Sequence, residues 1–322
     1  MTSLRSRVAL VSAAALVLAG VGIGYSLYAA ARSGGDSHAA GHAVPASDDG
    51  LYIRDSEGSV VLQQGSGTST RRTSTGLDCN RFYAAGDTAV CLGVEGSLKP
   101  TAKVEVLDAD LTPAESFTYS GVPTRARVSP SGRMVAWTVF VTGDNYAGTN
   151  FSTRTGIFDR ETGRIIDSLE GIPLHIDGER VRRVDVNYWG VTFAADDNTF
   201  YATVSTAGKT YLIEGDIANW SATALRENLE CPSLSPDGTK LAFKKRVNDS
   251  VDDRWRLYVL DLESMQETAL AEDRNVDDQA AWLDDDTVAY AVDGGVWSVP
   301  ADGSGEPRLI ADDASSPSMV KD

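Results

Sequence analysis

The chain has 322 residues, 46 of them acidic and 29 basic, for a net charge of −17. With the leader arginines Arg5, Arg7 and Arg32 set aside, 26 basic residues face all 46 acidic ones, so the remainder carries −20. So acidic a body makes nucleic acid and anionic membrane surfaces poor partners and favours a cationic partner or a bound divalent cation.

The chain opens with a short basic tail, residues 1–7, and then 24 uncharged residues, Val8 to Ala31. A cleaved signal peptide has an apolar core of about 7–15 residues and a transmembrane helix about 20, so the length predicts one uncleaved membrane-spanning helix over 8–31. Basic residues ahead of it put the N-terminus in the cytoplasm and the remainder outside the cytoplasmic membrane as a single-pass protein. The alternative is secretion after cleavage near Ala31, because Ala29-Ala30-Ala31 supplies small residues for a cleavage site. Residues 32–50 are small and polar without periodicity, as in a flexible linker. His38 and His42 stand four apart there, but glycine and proline around them oppose a helix, and no third ligand is near.

From Leu51 the run "LYIRDSEGSVVLQQ" reads as two short alternating strands. A longer pattern then repeats. Ala84-Ala85-Gly86-Asp87, Ser129-Pro130-Ser131-Gly132, Ala194-Ala195-Asp196-Asp197, Ser235-Pro236-Asp237-Gly238 and Leu283-Asp284-Asp285-Asp286 each precede an alternating run such as "RMVAWTVF" or "TVAYAV". Proline presets φ for a turn, glycine accepts positive φ and aspartate bonds back to its own backbone, so each set predicts a hairpin. A third run follows each ("KVEVLDAD", "TGIFDRETG", "TYLIEGD", "RLYVLDLES", "GVWSVPADG"), and then a fourth ("ESFTYS", "RIIDSL", "SATALR", "ETALAE", "PRLIAD"). Four short strands recurring in this way predict the blades of an all-β propeller, in which each small sheet needs neighbours on both faces.

The stretch "ECPSLSPDGTKL", Glu230 to Leu241, with "RLYVLDLES" after it, resembles the TolB-type propeller repeat, whose hallmark is SPDG between the first two strands. Residues 229–273 match that repeat closely, residues 122–171 well, and the other copies loosely. The resemblance implies a propeller over 51–322 and, by analogy, a partner protein or peptide in the cell envelope. The Ala-, Gly- and Arg-rich leader resembles those of actinobacteria. Set against the repeat, the opening "LYIRDSEGSVVLQQ" matches strands three and four, and the closing "ASSPSMVKD" matches a first strand. The two ends together predict a sixth blade, which closes the ring and removes two exposed edges. A five-bladed ring, or a sixth blade lacking a strand, is the alternative.

Propeller geometry then points to a site. First strands line the central channel, and the two longest insertions fall on one face, opposite the SPDG turns. They are "VTGDNYAGTNFSTR", with Tyr146, Asn150 and Arg154, and "GIPLHIDGERVRRVDVNYW", with His175, Arg182, Asn187 and Trp189. Long loops on a rigid scaffold are where binding resides. Counting eight residues back from each turn places Asp78, Thr124, Trp189, Glu230 and Asp278 at the channel mouth, followed by Cys79, Arg125, Gly190, Cys231 and Gln279. Asp78, Glu230 and Asp278 would form an acidic ring able to hold Ca²⁺ or a partner's cationic group; the other reading pairs each carboxylate with a local arginine. Trp189 with Tyr188 and Asn187 would give a flat platform, or merely packing. Arg180, Arg182 and Arg183 would clamp a carboxylate or phosphate, or only neutralise acidic neighbours.

Cys79 and Cys91 flank one hairpin and are expected to face each other, as a disulfide or as two buried thiols, leaving Cys231 as core. Enzyme motifs are lacking: no G-x-S-x-G is present, and Gly208-Lys209-Thr210 lacks the upstream glycine of a phosphate loop. The expected function is a non-enzymatic binding or scaffolding propeller with no cofactor. The alternatives are a divalent-metal-dependent hydrolase or lactonase using the acidic mouth, and a sensor domain, for which the tail of residues 1–7 leaves no room for an output domain.

Overall fold

The recurring turn is held by its own side chains. Ser235 Oγ donates to Asp237 at 2.5 Å and accepts from the Lys240 N–H at 3.0 Å, while Asp237 accepts from the Thr239 N–H at 3.0 Å and its hydroxyl at 2.9 Å. Gly238 supplies the positive φ, +73°, that ends the turn. The hairpin's register is thus set locally, with Leu234 opposite Leu241 and Ser233 opposite Ala242. The same logic recurs at Ser129, which accepts from the Met134 N–H, and at Asp196, which accepts from Asn198 and Thr199.

The computed structural model describes residues 46, 48–65, 70–96, 99–141 and 152–321. The tail, the expected span over 8–31, nearly all of the linker, Tyr146 and Asn150 lie outside them. Among the described residues no helix is long and apolar enough to cross a membrane.

The described strands form six sheets, one per blade, antiparallel throughout except for a short added hairpin at the edge of blade 4. Blade 1 runs, from the innermost strand outward, Ala314–Val320, Gly50–Asp55, Ser59–Gln64 and Arg71–Asp78. Blade 2 is Arg81–Ala85, Thr88–Glu95, Thr101–Leu107 and Pro113–Ser120, and blade 3 is Val122–Val128, Met134–Phe140, Thr153–Asp159 and Arg164–Ile166. Blade 4 runs Asn187–Phe193, Thr199–Thr206, Lys209–Asp216 and Ser221–Glu227. Blade 5 is Glu230–Leu234, Lys240–Arg246, Trp255–Asp261 and Glu267–Ala269, and blade 6 is Ala281–Asp284, Thr287–Val292, Gly295–Pro300 and Arg308–Asp312. The ring is six-bladed and is closed by both ends of the chain, with Gly50 opposite Val320.

Two expectations need correction. The run from Leu51 forms strands two and three of blade 1, not three and four; the fourth is Arg71–Asp78, whose polar, mostly exposed sequence carries no alternation to announce it. The insertion ahead of Trp189 is also more than a loop. Leu174–Ile176 and Glu179–Arg180 form a hairpin around Asp177 (φ +52°) and Gly178 (φ +81°) that lies parallel to the outermost strand of blade 4.

Packing repeats the sixfold count, since the buried apolar residues fall into six clusters, one between each pair of neighbouring blades. Between blades 2 and 3, Trp137 stacks on Phe117 at 5.4 Å and lies 5.7 Å from Tyr119. Turn residues stitch the blades as well: Ser131 donates to Asp197, and the Asp237 N–H donates to Asp285. Asp159 binds Arg133 through two hydrogen bonds, and this pairing holds its carboxyl well below the usual carboxylate range.

Candidate functional site

The inner strands reach the axis with their regularity broken. Register slips between Pro123 and Arg125, Trp189 and Thr192, and Glu230 and Ser233, and again in blade 1 opposite Tyr52 to Arg54. Gly190, Cys231 and Ser316 take positive φ of 65°, 52° and 50° at or beside these slips. A bulge turns a side chain that would lie flat along the wall toward the axis. At Gly190 the approach to blade 5 leaves no space for a side chain, since a Cβ would stand 2.9 Å from Cys231 Cα.

The side chains so aimed meet across the ring. Arg127 of blade 3 donates through Nη2 to the Ala280 carbonyl, on the segment leading into blade 6, at 3.0 Å, with its guanidinium 4.2 Å from the Tyr83 ring centroid. Asp278 receives Arg81 at 2.6 Å and Arg125 at 3.5 Å. Gln279 donates to the carbonyls of Val191 at 3.2 Å and Pro232 at 2.7 Å, and Trp282 donates to the Ser233 carbonyl. Blades 2 to 6 are thereby tied at the axis, and Ser318 adds blade 1 through hydrogen bonds with Ala84. This polar stopper divides the channel.

Beside it lies a second buried group. Lys244 bridges Asp277 and Glu230, the latter at 3.8 Å, and stands 4.2 Å from the Trp255 ring centroid. Burial opposes the charge on Lys244, yet Cys231, Glu230 and Asp277 together hold its ammonium above the usual range. Glu230 is pushed up by burial, because Lys244 sits closer to Asp277 than to it. Asp278 goes the other way: burial raises it, but Arg81 and Arg125 overcome burial and keep it ionised.

Of the twelve residues expected at the site, the structure gathers Arg125, Asp278 and Gln279 at the axis, with Glu230 just behind them. Asp78 is a correction. It is exposed at the end of the outermost strand of blade 1, where it accepts from Ser59. Blade 2 has a short inner strand without a bulge, Arg81 to Ala85 in unbroken register, so counting eight back overshoots into blade 1. The position belongs to Arg81 instead. The expected carboxylate ring does not form: Asp278 is taken by two arginines, Glu230 by Lys244, and no group of three His, Cys, Asp or Glu suited to a metal occurs among the described residues.

Trp189 is 5% exposed and packs in the wall, so it offers no platform. Asn187 braces blade 3 by accepting from the Thr153 N–H and hydroxyl. Arg154 is exposed, its guanidinium 5.8 Å from the Tyr119 ring centroid. His175 pairs with Arg180 in the hairpin at the outer edge of blade 4, with Arg182 exposed just beyond, so both lie at the rim and not at the mouth. Arg183 is committed to Asp185. Cys79 and Cys91 form a disulfide with Cα atoms 5.5 Å apart, fastening the link between blades 1 and 2. Sequence reasoning missed Arg81, Arg127, Lys244 and Ser316. Arg127 was within reach, two residues past Arg125 on the same face of an inner strand.

Below the stopper, on the SPDG side, opens a funnel of about 410 Å³ walled by turns of blades 2 to 6 and the end of the C-terminal strand, with Phe193, Leu234, Trp282 and Met319 among its apolar surfaces. A wider cleft of about 1110 Å³ runs along the seam of blades 6 and 1 past the Arg72–Asp312 ion pair. Within the stopper, among Arg81, Arg125, Arg127, Asp278 and Gln279, a cavity of about 30 Å³ remains.

No protein-family model matches the sequence, and no curated protein matches it. Solved structures do match in fold. TolB from Acinetobacter baumannii superposes with a TM-score of 0.56 at 13% identity over 84% of this chain. The chain spans 66% of that TolB chain, just under two thirds. A chain of the nidogen/laminin complex superposes with a TM-score of 0.56 at 10% identity, covering 85% of this chain and 99% of that one. At these identities the likeness is one of fold.

Proposed function

We propose that the chain is a non-enzymatic binding or scaffolding propeller, displayed on the outer face of the cytoplasmic membrane, that docks an envelope protein or peptide on the face opposite the SPDG turns. One observation carries the reading. The chain enters the ring at Gly50, opposite Val320, on the side of the SPDG turns. The residues that precede the ring therefore join it on that side, which leaves the other face, where Thr153 and Arg154 follow the first long insertion, clear of that junction. The closed axis supports the same reading, since a stopper of side chains bonded across the ring offers no passage for a substrate. The fold neighbours include TolB and a chain from a protein–protein complex, which is analogy and not proof.

The test is photo-crosslinking of the full chain in its native envelope, with a photoreactive residue at Arg154 or Arg182 and a control at Asp237 on the SPDG side. The expected result is one discrete adduct shared by the first two positions and missing from the control. Equal labelling at all three, or no adduct at either of the first two, overturns the proposal.

A further inference from the structure

Of the buried side-chain polar atoms among the described residues that lack a hydrogen-bond partner, three belong to residues lining one cavity: Arg125 Nε, Arg127 Nε and Ser316 Oγ. The cavity is the space of about 30 Å³ within the stopper. We propose that it binds a single small monovalent anion of chloride size.

The donor chemistry points that way. Both guanidinium nitrogens can only donate, and the serine hydroxyl can turn to donate. The charges lining the cavity are Arg81, Arg125 and Arg127 against Asp278 alone. Asp278 is already shared by Arg81 and Arg125, and the nearby Asp277 and Glu230 are engaged by Lys244. Arg127, 4% exposed, makes no ion pair among the described residues; its contacts are the Ala280 carbonyl and the Tyr83 ring. Buried charges are ordinarily paired, so the surplus here calls for a counter-ion. The size of the cavity chooses among anions, because a volume that holds one water or one monatomic ion excludes phosphate and a peptide chain. The body's net negative charge is no bar, since beyond about 8 Å it is screened at physiological salt.

The site also joins parts of the ring. Arg125 and Arg127 stand on blade 3 and Ser316 on the C-terminal strand of blade 1, so an ion between them ties the closing blade to blade 3 across the axis. Binding to the closed ring alone raises its stability by mass action.

The test holds the full chain at fixed ionic strength while chloride replaces gluconate, with melting followed by calorimetry. Tm is expected to rise by about 5–10 °C as chloride reaches a hundredfold excess over its Kd. The rise should be lost in Ser316→Ala and Arg127→Met, and acetate, too large for the cavity, should not reproduce it. Wild-type crystals soaked in bromide should show an anomalous peak within hydrogen-bond distance of Arg127 Nε and Ser316 Oγ, a result that stands even if Arg127→Met does not fold. A Tm indifferent to chloride, an equal rise with acetate, or a water with no bromide at that position each overturns the proposal.

Discussion

Asp278 is the one carboxylate among the residues lining the cavity within the stopper, and Asp278→Asn removes it while keeping shape. The variant leaves Arg81 and Arg125 facing each other without the group that now receives them at 2.6 and 3.5 Å. Breaking a buried ion pair by removing one partner costs about 3–5 kcal/mol. The side chains of Asp278, Arg81 and Arg125 retain 17%, 27% and 14% of their exposure, so water screens part of the effect. The lower end, about 3 kcal/mol, is the working figure. At about 2–4 °C per kcal/mol, Tm should fall by about 6–12 °C. Calorimetry at pH 7 measures it, and urea unfolding with an unchanged m-value would show that the stability of the native ring, and not the denatured state, has changed. Asp312→Asn is the control: its pair with Arg72 is as short, 2.8 Å, but Asp312 is 82% exposed, so its loss should cost under about 1 kcal/mol. Equal shifts in the two variants would refute the idea that the axial network bears on stability.

Reducing the Cys79–Cys91 disulfide, which closes a loop of sequence separation 12, should lower stability by about 3 kcal/mol, read as a Tm difference with and without dithiothreitol. Gly156→Val should cost about 1–3 kcal/mol in urea unfolding, because a Cβ there would come within 2.6 Å of the fully buried Trp137 ring. The pH response of two carboxyls should have opposite signs. Asp278 is depressed in the fold, so its contribution is present above the unfolded value of about 3.9 and lost as pH falls through its folded pKa. Glu230 is raised, so its contribution is present below about 4.3 and lost as pH rises through its folded pKa. Glu230→Gln should therefore gain on the wild type, in melting runs, as pH is raised from 4 to 7, whereas the deficit of Asp278→Asn should be nearly constant over that range and shrink only as pH falls below about 4. With the expected acidic ring dispersed, EDTA and Ca²⁺ should leave Tm unchanged, and a tightly held divalent ion whose removal lowers it would revive a metal-dependent hydrolase.

What could be read from the sequence is what the chain settles locally. The SPDG turns were legible because Ser235, Asp237 and Gly238 act on backbone atoms within five residues of one another. The hairpin at Asp177-Gly178 carried an equally local signal, a D-G pair flanked by Ile176 and Glu179, hidden by the length of the insertion around it. The fourth strand of blade 1 was not legible, since "RRTSTGLD" is held by its neighbour and not by alternation. The axis was the least legible part. Arg127 meets a carbonyl 153 residues away and Arg81 a carboxylate 197 residues away, and the bulges that aim them shift each blade's count differently. Equal counting found Arg125, Asp278 and Gln279 in blades 3 and 6, and failed at blade 2, whose inner strand lacks the register slip that every other inner strand carries.

The proposed binding role draws support from a channel closed at its axis, and the protein carries its own reporter there. With Cys79 and Cys91 joined, Cys231 is the one thiol of the chain, 1% exposed on the inner strand of blade 5. The direct measurement is the rate at which a small thiol reagent modifies Cys231 in the folded protein, compared with the rate of global unfolding. A closed channel predicts one reactive thiol that is modified no faster than the ring unfolds. Rapid modification under native conditions, with the fold intact, would show a channel open to small molecules and would contradict the closed axis that supports the binding role.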